Sequence, residues 1–274
     1  MSNTALNTEA LRFRALGHDR PLVLPNAWDA AGAAVMAHAG APAIATTSGG
    51  ISWSQGRSDG EGLTREQMAD AVRRIVEAVD VPVTADMEGG YGPDPADVAA
   101  TVRAAIDAGA VGINLEDSRP GRGLLSPEHQ AARIRAGRAA AEQAGVPAFV
   151  LNARTDVFLL DAGKSAVDVA ERARAYIEAG ADGLFVPGLL DLRALATLAA
   201  SISVPVNAMT GPGGPSVREL AEAGVRRVSV GTAIAQAAYG LVDRATRELI
   251  DTGAWSTWAP GLPYPRMNGL LIAR

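Results

Sequence analysis

The feature that most constrains the fold is a count. Eight short β-rich runs recur along the chain, at residues 22–28 (LVLPNAW), 43–49, 81–88 (VPVTADME), 112–117 (GINLED), 149–156 (FVLNARTD), 183–188, 204–209 and 227–231. Between them lie Ala-rich stretches with helical spacing, such as REQMADAVRRIVEAV and PADVAATVRAAIDAG. The phrases DAGAVGINLE, EAGADGLFV and EAGVRRVSV repeat one device: a helix end, a glycine stop and a strand. The strand runs are nearly continuous in apolar residues, as expected of parallel strands covered on both faces. Eight such units in 274 residues predict a (β/α)8 barrel of the TIM type. An open doubly wound sheet is the alternative. It would carry fewer strands and a GxGxxG turn after the first, where this chain has PNAWDAAG. No Pro/Ser-rich linker divides the chain, so residues 1–274 read as a single domain. Residues 1–20 read as a leading helix, and 232–274 as a closing helix followed by an irregular tail.

Composition removes whole classes of function. With 48% hydrophobic and 20% charged residues the chain is an ordinary globular one, and a net charge of −5 offers no basic surface for nucleic acid. No long apolar run suggests a membrane span, and the N-terminal stretch lacks the apolar segment of a secretory signal. A cytoplasmic location is the expectation. Cysteine is absent, which excludes disulfides, thiolate metal sites and thiol catalysis.

In such barrels the chemistry sits at the C-terminal ends of the strands, and that is where the polar residues cluster. Asp86 and Glu88 close one run, Glu116 and Asp117 the next, and Arg154 and Asp156 the one after. Side chains alternate along a strand, so Asp86 and Glu88 are expected on one face, with Glu116 beside them. Three carboxylates on one rim repel unless a cation lies between them. Oxygen-only ligands favour Mg²⁺, with Mn²⁺ possible, over zinc. The other reading is that the acids merely solvate strand ends.

The segments TTSGG (46–50), GRSDGEG (56–62), TADMEGGYG (84–92), GINLEDS (112–118) and LNARTD (151–156), in this order, resemble the isocitrate lyase/phosphoenolpyruvate mutase superfamily. The resemblance runs from about residue 20 to 235 and implies a Mg²⁺-dependent barrel acting on 2-oxo- or 2-hydroxycarboxylates. Such enzymes make or break a C–C or P–C bond through an enolpyruvate-like oxyanion. By the same resemblance Asp86, Glu88 (where the family has a second Asp) and Glu116 form the metal site, with Asp86 also facing substrate. Ser48, Gly49, Gly50 and Asn207 match substrate-binding positions. Asp59 matches an acid facing the reacting group, and Arg154 an arginine that grips the substrate. The loop 118–125 is the candidate to close over the site, with Arg122 or Arg119 reaching the ligand. The family also implies a homo-oligomer, tetramer or dimer, in which the closing helix is exchanged between subunits.

Three departures matter. The lyases carry a Cys-bearing loop after the LED strand, where this chain reads LEDSRPGRGLLSPEHQ. Pro187 aligns where lyases have Glu and mutases His, and Thr46 stands at a position that is aromatic in better-known members. The chain therefore matches neither an orthodox isocitrate-type lyase nor an orthodox mutase. The leading expectation is a Mg²⁺-dependent lyase or hydrolase of a small oxo- or hydroxy-acid. A phosphonate mutase and a non-catalytic dicarboxylate binder are the alternatives. Of the three histidines, His18 and His38 read as surface or packing residues, and His129 falls near a helix start.

Overall fold

The computed structural model describes residues 1–119, 121–160 and 166–271. One all-parallel sheet closes on itself. Its strands are β1 (Leu22–Leu24 and Asn26–Ala27), β2 (Ile44–Thr46), β3 (Val83–Asp86), β4 (Gly112–Glu116), β5 (Val150–Arg154), β6 (Gly183–Phe185), β7 (Val206–Met209) and β8 (Arg227–Ser229). β1 is divided at Pro25, which has no N–H to give the ladder. Its first half pairs with β8, Leu22 opposite Arg227, and its second half with β2, Asn26 opposite Ala45. The remaining neighbours follow chain order, so the ring is complete and the open-sheet alternative is excluded.

The helices around it are α1 (Asn3–Ala15), α2 (Ala30–His38), α3 (Ser48–Ser54), α4 (Arg65–Glu77), α5 (Pro95–Asp107), α6 (Pro127–Gln143), α7 (Val157–Leu160), α8 (Ala166–Glu178), α9 (Leu192–Ser201), α10 (Val217–Glu222), α11 (Ala233–Thr252) and α12 (Tyr264–Leu270). Their starts are coded locally. Thr64 with Gln67 and Ser216 with Glu219 form capping boxes, each satisfying orphan N–H groups reciprocally. Their ends use the predicted stop: Gly109, Gly180 and Gly224 adopt φ of +88°, +100° and +83°, open to glycine at little cost. No helix among the described residues is long and apolar enough to cross a membrane.

Two local expectations give way. The second β-rich run does not continue to residue 49: Ser48 already begins α3, with Thr47 at the N-cap position. The tail is not wholly irregular, since α12 forms within it and packs on α2. The closing helix forms as expected, but α11 buries only Ala235 and Ala245 and packs extensively on no other element. Ile234, Val242, Leu249 and Ile250 on it stay exposed.

Close packing between strands makes one glycine indispensable. A Cβ on Gly112 would lie 2.6 Å from the Val150 carbonyl oxygen and 2.7 Å from its Cβ, so β4 and β5 would have to separate. Gly112→Ala is expected to cost about 1–3 kcal/mol, the range of an overpacked core site. Urea unfolding would show it as a lowered midpoint at unchanged m-value.

Candidate active site

The rim at the strand C-termini gathers the acids. Asp86 ends β3 with its backbone N–H donating to the Thr46 hydroxyl at 2.8 Å, so Thr46 positions the acid. The Ser48 hydroxyl donates to Asp86 Oδ2 at 3.0 Å. Asp86 Oδ1 is buried and has no donor. Burial raises the Asp86 pKa, opposed by the positive charge of Arg154. A buried carboxylate oxygen without a donor is costly, and a hard cation is the partner that would satisfy it.

Glu88 behaves differently. β3 ends at Asp86, and Glu88 takes φ +49°, so the alternation that would have put both acids on one face no longer applies. Its Oε1 accepts from the Gly60 and Glu61 N–H groups at 3.0 and 2.6 Å, and its Oε2 from the Tyr91 hydroxyl at 2.7 Å. Burial lifts its pKa to about 7 against these donors. Tyr91 is itself left-handed at φ +57°. Two such non-glycine residues in one turn store strain of order 1–3 kcal/mol each. Glu88 thus staples the loop 58–62 to the rim.

Glu116 and Asp156 share Arg154. The guanidinium meets Asp156 through Nε and Nη2 at 2.6 and 3.1 Å, and Glu116 through Nη1 at 2.7 Å. Ser118 Oγ lies between the same acids, 2.6 Å from Asp156 Oδ2 and 3.2 Å from Glu116 Oε1. Burial raises the Glu116 pKa even so. Asp86, Glu88 and Glu116 therefore occupy one rim without forming a ready cage. No group of three acidic or histidine side chains among the described residues is gathered closely enough to chelate a metal. Asp86 alone offers a free buried oxygen, and Glu88 and Glu116 would be reached through water.

The other candidates divide. Asp59 lies on the exposed loop, yet a Cβ on Gly49 would come within 3.1 Å of its Oδ2. Gly49 is thus glycine so that the acid can approach. Gly50 is glycine because a Cβ would meet Trp28 and Thr47 at 2.8 Å. Asn207 sits lower in the barrel. Its amide donates to the Ala208 carbonyl and the Ser229 hydroxyl and accepts from Asn152, so its hydrogen bonds go to no rim acid. Ser118–Arg119 and Gly123–Leu124 form a small antiparallel ribbon, Arg122 is exposed, and among the described residues no ion pair joins Arg122 to the rim. His129 Nε2 lies 2.9 Å from the Pro93 carbonyl oxygen, and His38 lies beside Arg266, away from the acids. Pro187 is buried just beyond β6.

Sequence reasoning passed over the buried network beneath the rim. Asp117 accepts from Thr155 Oγ1 (2.7 Å), the Asp156 N–H (3.0 Å), Arg172 Nη1 (3.0 Å) and the Tyr176 hydroxyl (2.7 Å). It ties the end of β4 to the end of β5 and to α8. A signal existed in ERARAY: Arg172 and Tyr176 stand four apart, on one helix face. Tyr91, three residues after Glu88, was likewise legible only once the turn was seen.

A parallel barrel with acids, an arginine and a serine turn gathered at its C-terminal rim carries its polar groups at the face where barrel proteins place their sites. The model of the phosphoenolpyruvate phosphomutase family matches residues 13–250, and the chain belongs to the isocitrate lyase/phosphoenolpyruvate mutase superfamily. It is 33% identical to the 2-methylisocitrate lyase of Escherichia coli K12, over 74% of this chain and 70% of that one. A Burkholderia cenocepacia J2315 structure, provisionally named a lyase/mutase, superposes with a TM-score of 0.90 at 37% identity over 96% of both chains. Oxaloacetate acetylhydrolase bound to 3,3-difluorooxalacetate gives 0.87 at 28% identity, covering 97% of this chain and 93% of that one.

The Asp117 network generates a stability test. Removing one partner from a buried charged network leaves the others unpaired, typically at a cost of about 3–5 kcal/mol. Asp117→Ala should lower the unfolding free energy by that order, read by urea denaturation, and Tyr176→Phe by clearly less.

Proposed function

We propose that the protein is a divalent-metal-dependent lyase or hydrolase of a small 2-oxo- or 2-hydroxycarboxylate, breaking a C–C or P–C bond through an enolpyruvate-like oxyanion. The observation that carries this reading is the buried, donorless Oδ1 of Asp86 at the rim, beside Ser48 and within the field of Arg154. Asp86 would hold Mg²⁺ (or Mn²⁺) directly, with Glu88 and Glu116 in its water shell. When bound, the ion supplies Lewis-acid polarisation of the substrate's carbonyl oxygen. Ser48 and the backbone of Gly49 and Gly50 bind the substrate carboxylate, and Arg154 grips it from across the rim. Arg154 also places a fixed positive charge where negative charge develops, the main electrostatic contribution to such reactions. Asp59 faces the reacting group, Asn207 orients the substrate from below, and Arg122 on the ribbon covers the ligand. The relatives named for cleaving methylisocitrate and oxaloacetate support a C–C bond as the one broken.

Metal binding is the first test. Mn²⁺ titrated by calorimetry or electron paramagnetic resonance should bind the wild type saturably, and Asp86→Ala should lose at least tenfold in affinity while keeping its circular dichroism. A D86A protein that binds Mn²⁺ as the wild type does removes the central claim.

The missing thiol separates substrates. With no cysteine to protonate the leaving fragment and Pro187 in place of a further polar group, the proton donor of the family's lyases is absent. Positioned proton donation contributes roughly 10²–10⁴-fold. Oxaloacetate and phosphonopyruvate should therefore release product with Mg²⁺, while isocitrate and 2-methylisocitrate turn over at least 100-fold more slowly. Rapid glyoxylate or pyruvate release from the tricarboxylates would overturn the argument from cysteine. Saturable binding without turnover of any acid would replace the enzyme by a binder.

The exposed apolar residues of α11 support an assembly in which this helix is exchanged between subunits. Light scattering is expected to give four copies of the 28.1 kDa chain, with two as the smaller assembly, and a monomer would refute it.

A further inference from the structure

The opposite end of the barrel holds a cavity of about 380 Å³, bounded by Phe13 and Arg14 of α1, His18, Asp182, Arg226 and Arg227. Its lining includes Leu22, Val150, Gly183 and Arg227, the first residues or so of their strands, so it opens away from the rim. At its inner end lies Arg227, 7% exposed and pointing into the barrel. The guanidinium donates through Nη2 to Asn114 Oδ1 at 3.2 Å and stacks over the Phe13 ring at 5.7 Å. Its Nε has no acceptor, and among the described residues no acid forms an ion pair with it, the Asp86 carboxylate acting on it only at longer range. Burying a cation without a paired anion is among the most costly arrangements a fold can hold.

The cavity is basic as a whole. Its one lining acid, Asp182, is already shared by Arg14, at 2.6 Å from Oδ1, and by Arg138, which meets Oδ2. Three arginines thus line the space against a single engaged carboxylate, in a chain whose net charge is −5. Phe13, Leu22 and Pro205 supply apolar wall beside the charges. Cations converging from α1 and β8 on one concavity, one of them buried with an unused donor, form a receptor for an anion.

We propose that this basal cavity binds a small organic dianion, a phosphate monoester or a dicarboxylate, with its charged group on Arg227 and Arg14 and its carbon chain against Phe13 and Leu22. The site lies at the end of the barrel away from the rim, whose Asp86 acts on Arg227 through its charge and not through a contact. A residue kept charged here at the expense of stability is expected for a binding role rather than a structural one.

The test uses the full-length protein in EDTA, with inorganic phosphate and succinate as probes and the thermal midpoint and calorimetry as readouts. Either probe should bind saturably and raise the midpoint, and the tighter of the two identifies the anion source. Ser48→Ala, which alters the rim without leaving a buried charge unpaired, should respond as the wild type does. Arg227→Met should lose the response while unfolding at an equal or higher urea midpoint, because a buried unpaired charge has become apolar. Arg14→Gln, at the mouth, should weaken binding at least tenfold and serves alone should R227M fail to fold. The proposal falls if neither probe binds the wild type, if S48A abolishes the response, or if R14Q responds as the wild type does.

Discussion

The rim depends on one guanidinium. Arg154 spans Asp156 and Glu116 within a buried cluster that also contains Asp86. Without it, the ends of β4 and β5 would bring uncompensated carboxylates together in a medium that penalises each of them. With it, one acid is fully occupied, a second is half occupied, and Asp86 is left with an oxygen to give away. The remaining negative charge is spread outward, Glu88 being held by two backbone N–H groups and a phenol rather than by a cation. The polarity of the site is thus graded: neutralised at β5, unsatisfied at β3. That gradient orients whatever anion and cation meet there.

The barrel itself was legible because its signals are local and repeated. An amphipathic stretch, an Ala-Gly stop and an apolar run were each readable in isolation, and eight repetitions favoured the barrel over an open sheet. The rim was legible as a location, since polar residues at strand ends have few other reasons to be there. Side-chain direction was not. The reading of Asp86 and Glu88 on one face assumed that the strand continued, whereas a left-handed residue at 88 rotates its carboxylate onto the loop 58–62. A glutamate there reads the same in sequence whether it faces the pocket or the loop.

What could not be read at all were partnerships between distant segments. Asp117 with Arg172 and Tyr176, and Arg227 with Phe13, join residues that only barrel closure brings together. Arg172 and Tyr176 share a helix face, but nothing in their segment names Asp117 as the partner. The second arginine of GVRRVSV, Arg227, lies at the start of a predicted strand, a place where a charge is normally solvated. Only the closed ring places it inside.

Pro25 has a consequence for how the chain reaches this state. Because the proline divides β1, the half that is made first finds its hydrogen-bonding partner in the strand that is made last, Leu22 against Arg227. During synthesis that edge must wait for about 200 further residues, and although the entropy of so large a closure grows only logarithmically, it comes before any contact rewards it. The ring is therefore sealed as a late event, after most of the chain has left the ribosome. Until then the inner half of β1, already paired with β2, can keep the growing sheet in register.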